Sequence, residues 1–361
     1  MLSNTAKKWL KASAALIAAG LLTFSLTACA AGFRIGEILL GKYIDSTYEL
    51  TESFSDIEIN GDTADIIFVK SEDGKAKVVC HERESDTATV SVEGGTLKID
   101  ADSDEKWYDQ IFIGSECAIT VYLPAGGYGA LKVDGGTGDM SVSSDFGFSG
   151  IDIDITTGDI TLEASSSGDV KIDVSTGDVK VSGISAGVLE ILSSTGDVEV
   201  SDADCGSINV KGTTGKATFK NVKVSGAMHV DRSTGDIEAT DVSCVGDMTV
   251  LVSTGVSVLR DVSAATLTSS GTTGDISLID TAVFLKLDIE RSTGDVYLEA
   301  SDAGEIYINT ETGSVEGTLL SDKVYIVSTN TGRVDVPKTI EGGRCEISTD
   351  TGNIKISVVG K

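Results

Sequence analysis

The chain has 361 residues, with 56 Asp+Glu against 28 Lys+Arg for a formal charge of -28, 41 Gly, 2 Pro and 5% aromatics. This composition excludes a collagen or a Pro-rich linker, and its negative field repels phosphate backbones, which disfavours nucleic acid as a partner. The two histidines, His81 and His229, disfavour chemistry built on a histidine base but leave carboxylate mechanisms open.

At the N-terminus, Lys7, Lys8 and Lys11 precede an uncharged stretch over residues 12–33. A basic segment followed by an apolar one reads as a membrane signal. Within it, Leu26-Thr27-Ala28-Cys29 resembles a lipobox, which implies acylation of Cys29. The stretch also reaches the ~20 residues that span a bilayer as an uncleaved helix. A secreted form is the third reading. The basic flank places the remainder outside the cytoplasm in either anchored form. No apolar tail precedes Lys361, so the anchor is expected at the front.

Residues 34–53 read as a connector. From residue 54 to 130 the pattern is β: Ile57 and Ile59, Ile66 to Val69, Val78 and Val79, Val90 and Val92, Leu97 and Ile99, punctuated by Gly61-Asp62, Asp73-Gly74 and Gly94-Gly95. A polar-aromatic excursion surrounds Trp107, and a strand over residues 118–123 ends at Pro124. The expected role of this region is a cap, because an uncovered rung exposes a strand edge.

From residue 131 to 361 a Thr-Gly pair recurs, with glycines at Gly138, Gly158, Gly177, Gly196, Gly215, Gly235, Gly255, Gly274, Gly294, Gly313, Gly332 and Gly352. Every spacing is 19 or 20 residues. In the unit over residues 170–183, Val170, Ile172 and Val174 alternate with polar residues, as do Val179 and Val181 after the turn. Alternation of period two is the strand signal, and no helical stripe interrupts it. A unit this small buries its apolar side only by stacking on its neighbours. The repeat therefore predicts an all-β parallel solenoid of about twelve rungs, a rod of roughly 55 Å at the ~4.8 Å strand spacing. A propeller built from paired units is the alternative.

The early strand pairs, the Trp107 segment, Thr120-Val121-Tyr122-Leu123-Pro124 and the repeated Thr-Gly-Asp-Val or Thr-Gly-Asp-Ile together resemble the bacterial putative-adhesin family of β-strand repeat proteins of unknown function. The resemblance covers roughly residues 54–361. It implies a membrane-tethered envelope protein with a β-solenoid, and it brings no catalytic residues.

The turn glycines are expected to supply positive φ. Asp follows the glycine in seven of twelve units, among them Asp159, Asp178 and Asp197. Such a stack could bind calcium, but one carboxylate per turn is few for a hard cation. The expected role is hydrogen bonding of each Asp to its own turn. Threonine pairs of ice-binding type occur at Thr310/Thr312, Thr329/Thr331 and Thr349/Thr351. Cys80, Cys117, Cys205, Cys244 and Cys345 form no C-x-x-C pair and read as buried small residues. Cys205 and Cys244 stand two rungs apart, roughly 10 Å, beyond disulfide reach. A glycan-cleaving β-helix needs long unequal loops around its cleft, which even spacing does not supply. The reading is an extracytoplasmic, adhesin-like interaction module at the cell membrane, without a cofactor, meeting an envelope or surface protein or glycan. The alternatives are a glycan-active enzyme and a cation-binding solenoid.

Overall fold

The computed structural model describes residues 43–101 and 117–359. The signal or anchor over 1–33, Cys29, most of the connector and the Trp107 segment lie outside the described residues. What is described is all β, with no helix. Alternate side chains turn inward as the period-two pattern requires: Val170, Ile172, Val174, Val179 and Val181 are each at most 1% exposed.

Successive units stack in parallel and in register. Val170 sits over Leu189, Leu189 over Ile208 and Ile208 over Met228, while Thr176, Thr195, Thr214 and Thr234 align at the turn. Each later rung has three short legs. Met228–Thr234 runs to the Thr-Gly corner. Ile237–Cys244 continues beyond it and bends at Asp241, whose φ is 55°. The bend recurs at Gly183, Asp202, Asn221, Asp261, Asp280 and Ala300 with φ of 45–68°. Asp and Asn tolerate this left-handed geometry better than other side chains. The row is a second corner that the sequence analysis passed over. Its trace was an Asp or Asn recurring at the repeat spacing at positions 202, 221, 241, 261 and 280.

Chain order and stacking order differ at both ends. Asp56–Thr63 and Asp65–Lys70 pair in parallel with Ala130–Thr137 and Met140–Val142, and Thr63 aligns with Thr137. The ladder therefore begins inside the region assigned to the cap, not at residue 131. This rung escaped notice because its turn reads Thr63-Ala64-Asp65, without the glycine, and lies 74 residues before the next. The intervening chain folds outward: Thr96–Ala101 and Ala118–Leu123 form a further parallel layer beyond it. Antiparallel strands close that layer, Thr89–Glu93 on the first and Lys77–Arg83 on the second, with Tyr43–Glu49 outside Lys77–Arg83. Leu97, Ile99, Val121 and Leu123 stay within 1% exposure under this cover.

At the other end, Val296–Thr312 pairs not with the next strand in sequence but with Gly343–Thr351. Lys323–Thr331 lies outside that strand, and Ile354–Val358 is likewise interposed between Val315–Leu319 and Val334–Asp335. The stacking order of glycines is thus 313, 352, 332. Cys345, Ile347, Ile354 and Ile356 are buried at 3% or less, whereas Val334 in the outer rung is 45% exposed. An inner rung loses water from both sides, so the more aliphatic rung gains most from the inner place.

Candidate functional surface

The Thr-Gly-Asp corner is a hydrogen-bonded row that runs between rungs. Asp159 Oδ1 accepts from the backbone N–H of Asp178 at 2.8 Å, Asp178 Oδ1 from Asp197 N–H at 2.8 Å, and Asp197 Oδ1 from Lys216 N–H at 2.8 Å. Asp65 and Asp139 begin the same relay. Each carboxylate therefore bonds the turn of the next rung rather than its own, as the sequence analysis expected. The reason is the ladder: the acceptor of one layer lies beside the donor of the next. Asn353 Oδ1 does the same for Arg333 N–H at 3.0 Å. One oxygen of each carboxylate in the candidate trio Asp159, Asp178 and Asp197 is thereby engaged. Among the described residues no group of three or more His, Cys, Asp or Glu is placed to hold a metal ion.

Close approach of the rungs sets the glycine requirement. Gly177 has φ 148°, and a Cβ placed there would lie 1.8 Å from Gly158 O. A side chain is blocked by the neighbouring backbone as well as by its own torsion. The threonines two before the aligned row, Thr310 and Thr349, are at most 4% exposed, and Thr349 Oγ1 donates to Gly313 O at 3.0 Å. They belong to the core, so the paired threonines do not form a flat exposed face.

The third corner is built from small residues. Gly226 N–H donates to Gly206 O at 2.7 Å and Gly246 N–H to Gly226 O at 2.9 Å. Toward the C-terminal rungs this corner changes character. Ala265 replaces glycine, and the ladder shifts register where Phe284 and Leu285 are accommodated. Phe284 is 82% exposed, Val245 70%, and Leu285 and Leu320 each 53%. A groove of about 720 Å³ runs among them, floored by Ala264, Ala282 and Ala303. The sequence signal was available, an apolar Val-Phe-Leu run where other rungs place Ser, Gly or Ala, but the alternation argument treats it as strand interior.

Two arginines lie inside the solenoid. Arg232 is fully buried and Arg291 3% exposed. Each follows a glycine in the rung below, Gly212 and Gly271, whose missing side chains leave room for the guanidinium. Arg291 donates to Ser269 Oγ and to Glu290 O, both at 2.9 Å, and burial pulls its pKa down to about 10. Burial also lowers that of Arg232, opposed by Asp197. Val224 separates Cys205 from Cys244, as two-rung spacing requires. Burial pushes the thiols of Cys80 and Cys345 up to about 12 and that of Cys205 to about 11. Such thiols are poor nucleophiles. His81 sits at the surface, with Nδ1 2.7 Å from Asp45 Oδ1 and its ring stacked on Tyr43. His229 lies between Asn209 and Thr249 in the ladder, far from His81 in the rung order.

A family model described as Toastrack DUF4097 matches residues 54–254. The chain belongs to the Toastrack family. The match begins just before the rung at Asp56–Thr63, so the Toastrack unit includes both the antiparallel closure and the solenoid that follows. Solved structures with a similar chain path include a putative adhesin from Bacteroides fragilis NCTC 9343, at 15% identity over 88% of this chain and 98% of that one, with a TM-score of 0.26. A putative lipid binding protein from Parabacteroides distasonis ATCC 8503 shares 15% identity over 87% and 97%, with a TM-score of 0.32. A putative adhesin from Parabacteroides merdae ATCC 43184 shares 12% over 88% and 97%, at 0.28. No curated protein sequence matches the chain.

Proposed function

We propose that this Toastrack protein is an interaction module held at the extracytoplasmic face of a bacterial membrane by its N-terminus, and that it works by binding rather than by catalysis. The observation that carries the reading is the apolar corner. Val245, Phe284, Leu285 and Leu320 stand exposed on a strongly acidic chain, and contiguous exposed apolar surface marks contact sites. Its groove suits the apolar side chains of an envelope or surface protein. The basic-apolar N-terminal stretch with Cys29 supports tethering, and the even rung length supports a scaffold over an enzyme, since no long loop is available to wall a glycan cleft. The reading requires no cofactor and no calcium.

Recovery of the full chain with its bound proteins from its own membrane tests the corner. Phe284→Ser with Leu285→Ser is expected to release the recovered partner and leave the melting temperature within about a degree, because exposed apolar residues carry little stability. A partner retained by the double variant moves binding to another surface. Labelling with a fatty-acid analogue tests the tether: Cys29→Ala is expected to lose the label and to accumulate as precursor, and equal labelling of both chains counts against lipidation.

A further inference from the structure

The two ends of the ladder are finished differently. At the end bearing Thr96–Ala101 and Ala118–Leu123, antiparallel strands cover the last parallel layer. At the opposite end Lys323–Thr331 is the outermost strand, and among the described residues it pairs on one side only, with Gly343–Thr351. Its core-facing Tyr325 and Val327 remain only partly buried, and Ile326, which faces outward, is 49% exposed. Val334 in the second leg of the same rung is 45% exposed.

Exposed edge strands ordinarily carry charges, proline or a bulge that discourage pairing. This one carries none: residues 324–332 read VYIVSTNTG, nine positions without charge or proline. The lysine that begins the strand does not guard the edge. Its Nζ is drawn inward to Ala303 O and Asp302 Oδ1, both at 2.6 Å, and the side chain is 5% exposed.

Charge selects the occupant. Residues 320–361 hold six Lys/Arg and five Asp/Glu, a net +1, whereas residues 1–319 hold 22 and 51, a net -29. Two acidic chains can therefore meet at this end without the repulsion that any other contact between them incurs. Antiparallel pairing of the strand with its own copy sets like residues opposite one another, which disfavours a charged strand and suits an uncharged one. We infer that Lys323–Thr331 pairs edge to edge with the same strand of a second copy of this chain, closing a twofold dimer. Assembly stops at two, because a twofold contact uses the same patch on both partners and the other end is already closed.

The test is the mass in solution of the full chain in mild detergent, by light scattering with the detergent contribution subtracted. The wild-type chain is expected at twice the mass of one chain. Ile326→Lys places two like charges across the twofold and is expected to weaken self-association at least ~10-fold, with an unchanged thermal melt. Ser328→Lys, on the same exposed row, repeats the test should the first variant fold poorly. Thr47→Lys, at the closed end, is expected to leave the dimer intact. A wild-type chain of single mass, a dimer that survives both edge variants, or one broken by Thr47→Lys overturns the inference.

Discussion

Gly177 and Asp178 are neighbours with opposite sensitivities. The glycine has no room for a methyl group, since its Cβ would meet Gly158 O at 1.8 Å. Gly177→Ala is expected to cost about 3 kcal/mol from overpacking and backbone strain together, read as a lowered urea midpoint. Asp178→Ala removes the acceptor for Asp197 N–H and is expected to cost about 1 kcal/mol. Asp178→Asn keeps that acceptor, as Asn353 does for Arg333, and is expected to match wild type. If calcium raises the melting temperature and Asp178→Asn abolishes the rise, the row is a cation site instead. The buried thiols set an alkaline limit on stability. Burial raises Cys345 from its ordinary value near 9 to about 12. Between those values the unfolded chain releases the proton and the folded chain keeps it, so stability falls as pH rises. Cys80 and Cys205 act in the same direction. Arg291, pulled down to about 10, acts oppositely above that pH, because the folded state then gives up its proton first. With three thiols against one guanidinium, the melting temperature is expected to decline from pH 9 upward. Cys345→Ala should flatten that decline even if it lowers stability at neutral pH, and an unchanged slope removes the thiol from the explanation.

Among the elements, the two terminal rungs at the C-terminal end carry the clearest consequence. Ile354–Val358 and Gly343–Thr351 are the last strands in sequence but lie one layer inside Lys323–Thr331 and Val334–Asp335. Fraying of a stack starts at its outermost layer. Hydrogen exchange should therefore be slower at Ile347 and Ile354 than at Val327 and Val334, by ~10-fold or more for each ~1.4 kcal/mol of difference in opening. Exchange in the reverse order, fastest at the end of the chain, contradicts the interposed arrangement. The closed end predicts the contrast: Val121 and Leu123, under the antiparallel strands, should exchange as slowly as interior rungs.

For the molecule as a whole, the acidic excess opposes compaction. Asp134, Asp154 and Asp173 stack directly over one another, and the carboxyl of Asp154 is raised by burial first and by Asp173 and Asp134 after it. Stability is bought back by the continuous core and the backbone ladder, both insensitive to salt. Sodium chloride is therefore expected to raise the melting temperature as it screens like charges within the ~10 Å Debye length reached near 0.1 M. Magnesium and calcium at equal ionic strength should match one another if screening alone acts. A selective calcium effect points to a coordinated ion.

The parallel solenoid was legible in the sequence because its physics is local and repeated. A two-residue period sets which side chains turn inward, and a Thr-Gly pair every 19 or 20 residues sets the turn. Each signal is contained within one unit, so each unit announces itself. The rung at Asp56–Thr63 was hidden since Ala64 takes the glycine place and the chain leaves the stack before returning. The groove among Val245, Phe284 and Leu285 could not be read because it joins residues from different rungs at a corner whose position only the three-legged geometry defines. Stacking order at the ends was beyond the sequence for a related reason. Rungs ending at Thr331 and Thr351 both carry the repeat, so either could lie against Thr312. Backbone pairing is indifferent between them. Burial decides, by placing Ile347, Ile354 and Ile356 between two neighbours and leaving Val334 at the surface.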